Sequence, residues 1–208
     1  MAKRRQKDKQ LPAGRGGRVE ETTLRIVGGT MRGRKIKYSG DQTVRPMKDR
    51  TREAVFNLVG PAIKGMHAID LFAGTGAMAI EAISRGAESA TLIERHLPSA
   101  RIIRENLETL ELTDRAELVK GNAFLWDGME ADAGRPWCVF CCPPYKFFET
   151  RIDQMSTLIS RTLEKSPDGS IIVVEAEIPF DFEPLAELGE WDVRTYRPAV
   201  VGVLEKLG

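Results

Sequence analysis

The stretch Ala68-Ile-Asp-Leu-Phe-Ala-Gly-Thr-Gly76 decides the fold. Its first half has the apolar character of a buried strand. Gly74 and Gly76 then mark a turn whose backbone, lacking Cβ atoms, lets a ligand approach closely. Helical sequence follows over Ala77–Arg85, and Gly86 closes it, as a left-handed C-terminal position favours. Strand, glycine turn and helix in this order begin a parallel α/β sheet. Ligands in such sheets bind beyond the carboxyl ends of the strands, where strand order reverses.

Outward from this unit, the pattern predicts strands at His67–Phe72, Ala90–Glu94, Glu117–Lys120, Trp137–Cys141 and Ser170–Glu175. Helices are expected over Ala77–Arg85, Pro98–Leu110 and Phe148–Glu164. Two further strands, near Trp191–Arg197 and Val200–Lys206, are expected to pair antiparallel at an edge. Upstream, Leu24–Val27 and Lys35–Tyr38 read as a hairpin joined by a glycine-rich turn, followed by a helix over Lys48–Val59. Three parts result: a basic arm over 1–22, disordered when free, a hairpin plus helix over 23–60, and an α/β domain over 61–208.

The net charge of +1 conceals a division. Residues 1–52 hold 16 basic and 5 acidic side chains, net +11, whereas the remainder holds 15 and 25, net −10. A polyanion partner for the first quarter follows, with Arg25, Arg32, Arg34, Lys35, Lys37, Arg50 and Arg52 as candidate nucleic-acid contacts. No apolar run approaches the roughly 20 residues that span a bilayer, and no signal-peptide pattern follows the basic start. An odd count of three cysteines argues against a disulfide framework and for a reducing cytoplasm. Cys138 and Cys141 would face opposite sides of a strand and only two histidines are present, so no metal site is expected.

Two motifs carry the chemistry. Around Gly74 and Gly76 the helix start would offer free amides and its positive end to a carboxylate. Asp70 ends the strand beneath a cationic ligand group, and Glu94 ends the next strand, where a carboxylate can accept both hydroxyls of a ribose. About seventy residues on, Cys142-Pro-Pro-Tyr145 ends another strand. The prolines stiffen the chain and leave the Pro143 carbonyl to accept from an exocyclic amine, while Tyr145 is placed to stack on a base. Together these point to S-adenosylmethionine and methyl transfer to a base. The string Gly74-Thr-Gly-Ala-Met-Ala79 also fits a dinucleotide fingerprint, which keeps a nicotinamide-dependent oxidoreductase as an alternative. Against it stands Asp70, which would repel a pyrophosphate.

Leu24-Arg-Ile-Val-Gly-Gly-Thr-Met-Arg-Gly-Arg-Lys-Ile36, Arg45-Pro46, Asp49-Arg-Thr-Arg-Glu-Ala-Val-Phe-Asn57, Asp70-Leu-Phe-Ala-Gly-Thr-Gly-Ala77, Glu81-Ala-Ile-Ser-Arg-Gly86 and Leu92-Ile-Glu94 follow one another in order. This series resembles the RsmD-type bacterial 16S ribosomal RNA guanine-N2 methyltransferases, over about residues 24 to 207. The resemblance implies a seven-stranded, Rossmann-like class I S-adenosylmethionine-dependent methyltransferase fold with a small basic N-terminal β-hairpin. It implies a guanine of small-subunit rRNA as acceptor, in naked RNA or a 30S assembly particle, and a protein acting as a monomer. Cofactor positions carried over are Arg45, Asp70, Phe72, Ala73, Gly74, Gly76 and Glu94, with Asn122 and Ala123 near the adenine. Met47 stands where the family has a hydroxyl residue.

Catalytic positions carried over are Cys142, Pro143, Pro144 and Tyr145, and the first departs from the family's Asp or Asn. That oxygen accepts from the target amine and keeps its lone pair out of the ring. Cysteine is a weak acceptor, mostly neutral at pH 7 unless a nearby sulfonium favours the thiolate. Losing such a bond costs about 1.5–3 kcal/mol, so a slowed enzyme or a shifted substrate is expected. A non-catalytic RNA-binding relative that keeps the cofactor pocket is the second alternative.

Overall fold

The computed structural model describes residues 22–38 and 46–207; the expectations for residues 1–21 and for Arg45 lie outside the described residues. An antiparallel hairpin opens the described chain, with β1 (Thr22–Arg25) paired to β2 (Lys35–Tyr38). Thr22 therefore belongs to the hairpin and not to the arm expected over 1–22. Helix α1 (Asp49–Val59) follows. The sheet then builds through β3 (His67–Asp70), α2 (Ala77–Ser84), β4 (Ser89–Ile93), α3 (Leu97–Thr109) and β5 (Ala116–Val119). It continues with β6 (Trp137–Cys141), α4 (Lys146–Thr150), α5 (Ile152–Lys165), β7 (Ile171–Glu177), β8 (Asp192–Tyr196) and β9 (Ala199–Glu205).

The seven strands lie in the order β5-β4-β3-β6-β7-β9-β8. Strands β3 to β7 run parallel, and β9 pairs antiparallel with both β7 and β8. This is the seven-stranded Rossmann-like α/β sheet expected. Of the two late strands only β8 forms the edge; β9 is interior. Four of the five β8 residues are exposed, Asp192 and Arg194 among them, which discourages edge-to-edge association.

Alternation along the strands divides the core into two layers. Ala68, Leu92, Cys138, Phe140, Val173 and Val201 face α1, α2 and α3. Ile69, Ile93, Val139, Cys141, Ile172 and Val174 face Met155, Leu158 and Ile159 of α5. Cys138 and Cys141 thus lie in opposite layers, as strand geometry requires. The helix expected over Phe148–Glu164 is two helices. Amides of Phe147 and Phe148 bond the carbonyls of Pro144 and Tyr145, starting a turn immediately after the prolines, and Arg151 at φ −143° breaks it.

Hairpin and α1 are built into this core. Ile26 and Ile36 are buried with Val55, Phe56, Val59 and Ile83, and the Phe56 ring lies 5.4 Å from that of Phe140. The Thr30 and Met31 amides donate to the Ser84 carbonyl and hydroxyl, and that hydroxyl donates to the Gly28 carbonyl. The glycine turn therefore rests on the C-terminal end of α2, remote from Gly76. Asn106 of α3 accepts from the Lys37 amide and donates to its carbonyl.

Arg52, read from sequence as a nucleic-acid contact, is only 1 % exposed. It donates to Glu81 Oε2 at 2.8 Å, to Asp49 Oδ1 at 2.9 Å, and to the carbonyls of Met47 and Arg25. Glu81, also buried, further accepts from the Val27 amide and from Arg85. Hairpin, α1 and α2 meet on this one ion pair. Its cause is geometric: α1 packs on α2, and a charge on that interface must be answered by another.

Substituting Arg52→Met is expected to lower stability by about 3 kcal/mol, the lower end for breaking a buried pair, because Arg85 still contacts Glu81. Urea denaturation measures this. A variant of unchanged stability with weakened RNA binding would return Arg52 to the RNA surface.

Candidate active site

The carboxyl ends of β3 and β6 lie side by side at the reversal of strand order, with Asp70 opposite Phe140. From β3 the chain turns through Gly74 at φ +52° and Gly76 at φ +76°, conformations in which a side chain would be strained. A Cβ on Gly76 would also stand 3.3 Å from Leu92. From β6 it enters Cys142 to Tyr145. The two motifs read from sequence therefore emerge on adjacent strand tips.

Around the glycine turn, several groups already have protein partners. The Gly74 amide donates to Glu94 Oε2 at 2.7 Å, and Glu94 Oε1 accepts from the His96 amide at 2.6 Å. The Ala77 amide faces Thr75 Oγ1 at 3.3 Å. Asp70, 2 % exposed, accepts from the amides of Phe72 and Ala79. Asp70 thus caps α2, and the helix start offers fewer free amides than its sequence suggested. Burial first, and then the charge of Glu94, raise Asp70 from an ordinary 3.8 to about 7.

Ala73 and Ala123 are buried. The Asn122 side chain accepts from the Phe124 amide, starting a short 3₁₀ turn over Ala123–Leu125. Half-buried Phe72, Phe124 and Phe147 form a triangle with centroids 5.8–6.0 Å apart. The guanidinium of Arg151 lies 4.8 Å and that of Arg95 6.0 Å from the centroid of Phe147. The sequence reading missed Phe124, Phe147, Arg95 and Arg151, since no spacing brings residues from three loops together. The cluster supplies flat apolar surface, and Arg95 at its edge follows Glu94 in the chain.

On the β6 tip, Pro143 is buried, Pro144 exposed, and Cys142 and Tyr145 half-buried. The Pro144 carbonyl is occupied by the Phe147 amide, while no described donor reaches the Pro143 carbonyl. The Tyr145 hydroxyl donates to Glu175 Oε1 at 2.7 Å. Glu175, 5 % exposed two residues before the end of β7, was also missed. Burial pushes the Cys142 thiol well above its ordinary value, and the carboxylates of Glu175 and Asp70 push it further. The thiolate considered from sequence is thereby disfavoured. Asp70, Glu94 and Glu175 give the site a negative potential that suits a cation.

At the opposite, amino-terminal end of the sheet a hollow of about 710 Å³ is lined by His67, Ser89, Thr91, Arg104 and Glu130 among others. His67 bridges Ser89 and Thr91 there, and burial lowers its pKa to about 4. The hollow is separated from the glycine turn by the length of the strands.

Of the surface candidates, Arg32, Arg34, Lys35, Lys37 and Arg50 are exposed. Arg34 donates to the Thr109 carbonyl, and exposed Arg25 pairs with Asp49 at 2.6 Å. Arg25, Arg32, Arg34, Lys35 and Lys37 lie on the hairpin and Arg50 on α1.

The family model described as conserved hypothetical protein 95 matches residues 24–199. YlbH of Bacillus subtilis, named as a candidate rRNA methyltransferase, is 32% identical over 89% of this chain and 100% of its own. Ribosomal RNA small subunit methyltransferase D of Escherichia coli is 40% identical over 59% of this chain and 61% of its own. Among solved structures, the candidate methyltransferase yhhF of Escherichia coli superposes with a TM-score of 0.70. It is 28% identical, covering 90% of this chain and 99% of that one.

The raised pKa of Asp70 has a stability consequence with a defined sign. Its folded value lies above the unfolded one, so this contribution is fully present below about pH 4 and lost as pH rises toward 7. Substituting Asp70→Asn is expected to stabilise the unliganded protein at pH 8, by up to roughly 4 kcal/mol at 1.36 kcal/mol per unit. Near pH 4 the two proteins are expected to melt alike. Equal melting temperatures at pH 8 would show that Asp70 is not a strained anion.

Proposed function

We infer that this chain, which belongs to the conserved hypothetical protein 95 family of RsmD-type ribosomal RNA methyltransferases, methylates the exocyclic N2 of a guanine in small-subunit rRNA. The observation carrying this reading is the meeting of two strand tips. A left-handed glycine turn that follows β3, flanked by Asp70 and bonded by Glu94, leaves the sheet on the strand next to the one that carries Pro143-Pro-Tyr145.

The donor set fits S-adenosylmethionine. Asp70 and Glu175 favour cationic groups, Glu94 lies where ribose hydroxyls would displace its bonds to Gly74 and His96, and Phe72 and Phe124 offer apolar faces to an adenine. Asn122 caps the turn that carries Ala123 and Phe124, and Ala73 and Gly76 belong to the turn that follows Phe72. When bound, the cofactor supplies an electrophilic methyl group on a sulfonium. Everything else falls to the chain. The Pro143 carbonyl accepts one amine hydrogen and so fixes the nitrogen's orientation. Tyr145, held by Glu175, offers its ring to the extruded base. Positioning in a site with little water provides the acceleration. Arg25, Arg32, Arg34, Lys35, Lys37 and Arg50 contact phosphates of rRNA or of a 30S assembly particle. The protein works as a monomer in the cytoplasm, where its three free thiols are stable.

The test is incubation with methyl donor and unmodified 16S rRNA or 30S particles, followed by digestion to nucleosides and mass spectrometry. N2-methylguanosine is the expected product; N6-methyladenosine would replace the acceptor base, and no methylated nucleoside would sink the reading. Because a neutral thiol accepts weakly, Cys142→Ala is expected to cost less than roughly threefold in single-turnover rate. A loss of a hundredfold would make the sulfur itself the acting group.

Replacing Arg32, Lys35 and Arg50 together by Ala should reduce the slope of log affinity against log salt by about 2, at roughly 0.7 per phosphate on single-stranded RNA. Filter binding across a salt series reads this. An unchanged slope would place the RNA elsewhere.

A further inference from the structure

Behind the hairpin turn, at the end of α2 remote from Gly76, lies a hollow of about 600 Å³. Gly29 and Thr30 of the turn line it, with Ile83 to Gly86 at the end of α2, Lys64 and Arg115. Among the described residues its charged lining is cationic throughout: Lys64, Arg85 and Arg115. The larger hollow at the amino-terminal end of the sheet differs, for Glu108, Asp114, Glu117, Glu130 and Asp132 line that one beside Arg104 and Arg115. Lys64 is exposed, and among the described residues its ammonium has no hydrogen-bond or ion-pair partner. Arg115 donates to the carbonyls of Ala87 at 2.6 Å and Glu88 at 2.9 Å, which fixes its guanidinium without a carboxylate to neutralise it. Arg85 is paired with Glu81. That network, however, sets the guanidiniums of Arg25, Arg52 and Arg85 against two carboxylates, Asp49 and Glu81, and keeps a net positive charge. Bare carbonyls at a helix end would oppose an anion, but here they are covered. The Thr30 amide donates to Ser84, Gly86 to Ile83, Ala87 to Ala82, and Gly65 to Gly86.

We propose that this hollow holds a backbone phosphate of the RNA substrate, as an anchor separate from the place of methyl transfer. This rests on the reading of the chain as an rRNA methyltransferase and adds where the strand is gripped. Continuity favours RNA as the source of the phosphate. Exposed Arg32 belongs to the same turn as Gly29, to whose carbonyl its amide donates, and exposed Arg34 follows it. The hollow thus extends the cationic outer surface of the hairpin. A polyanion can occupy such positions in succession, releasing counterions at each, whereas a free phosphate ion would meet the hollow alone. Lys64 and Arg115 supply N–H donors and charge, and Arg85 adds the excess charge of its network. The eight residues of α2, at 1.5 Å each, put about 12 Å between the hollow and the glycine turn. Groups at that distance do not reach the extruded base, so the anchor governs affinity and the register of the strand, not the methyl-transfer step.

The experiment uses the full chain and unmodified 16S rRNA, with filter binding across a salt series and methyl-transfer rates against RNA concentration. Lys64→Ala/Arg115→Ala is expected to weaken binding roughly tenfold. It should also reduce the slope of log affinity against log salt by about 0.7, the share of one phosphate on single-stranded RNA. The RNA concentration giving half-maximal rate should rise in proportion, with the maximal rate kept. Lys64→Ala alone, which has no side-chain bond to lose among the described residues, should weaken binding roughly threefold, and Lys64→Arg should restore it. These two variants carry the test if the double variant does not fold. An unchanged salt slope would overturn the proposal, as would a fall in maximal rate at an unchanged half-saturating concentration. Calorimetry with inorganic phosphate separates the two sources. Phosphate binding that Lys64→Ala abolishes while RNA affinity stays the same would assign the hollow to the free ion and overturn the RNA anchor. A wild type that methylates rRNA, with variants that bind as it does, removes the anchor alone. A wild type that binds rRNA with the expected loss in the variants, yet transfers no methyl group, removes the methyltransferase reading and leaves the anchor standing.

Discussion

The structure depends on the placement of β3 between β4 and β6, parallel to both. Because right-handed crossovers leave a parallel sheet on the side set by the direction of progression, a reversal at β3 sends successive helices to opposite faces. Helices α2 and α3 cover one layer and α5 covers the other. The loops after β3 and β6 therefore diverge and cannot close over the gap between them. The segments that carry Gly74, Gly76, Cys142 and Tyr145 leave the sheet on the two sides of that gap. The energetic requirement is modest: the strands are apolar on both faces and bury without any contribution from the site. The tips are consequently free to hold residues chosen for chemistry, including three carboxylates whose proximity is unfavourable for folding.

Much of this was legible in the sequence because it is written in local pattern. The strand Trp137–Cys141 was read to the residue, since Pro136 and Pro143 enclose an apolar run of six residues that is too short for a helix. Helix α1 and the order of alternation followed from periodicity in the same way, whereas the first hairpin strand, expected over Leu24–Val27, runs over Thr22–Arg25. The helix after β6 was misread as continuous because Phe148–Glu164 has helical periodicity throughout. What interrupts it is Arg151, whose side chain lies over Phe147 and Phe124. Such a tertiary contact leaves no mark on spacing.

Charge was the least legible property. Arg52 sits in a stretch with ten more basic residues than acidic ones up to Arg50, and counting gave no reason to separate it from Arg50. Only the packing of α1 on α2 distinguishes them, by setting Arg52 against Glu81 and leaving Arg50 in water. The asymmetry still describes the surface, for residues 22–38 hold five basic side chains and no acidic ones. The hairpin thus has two separable roles: Ile26 and Ile36 bind it to the core, and its cations remain outside.

Glu175 and Cys142 show why a motif read alone can mislead about mechanism. Judged on the segment Cys142 to Tyr145, the chain lacks an acceptor and its chemistry should be impaired. The sheet, however, brings β7 beside β6, so the relevant inventory of side chains is spatial. Burial first, and then the carboxylates of Glu175 and Asp70, push the Cys142 thiol upward, so another anion at this position would meet both desolvation and repulsion. A small neutral side chain there avoids both penalties. Cysteine at 142 and glutamate at 175 are therefore two parts of one electrostatic arrangement shared between adjacent strands.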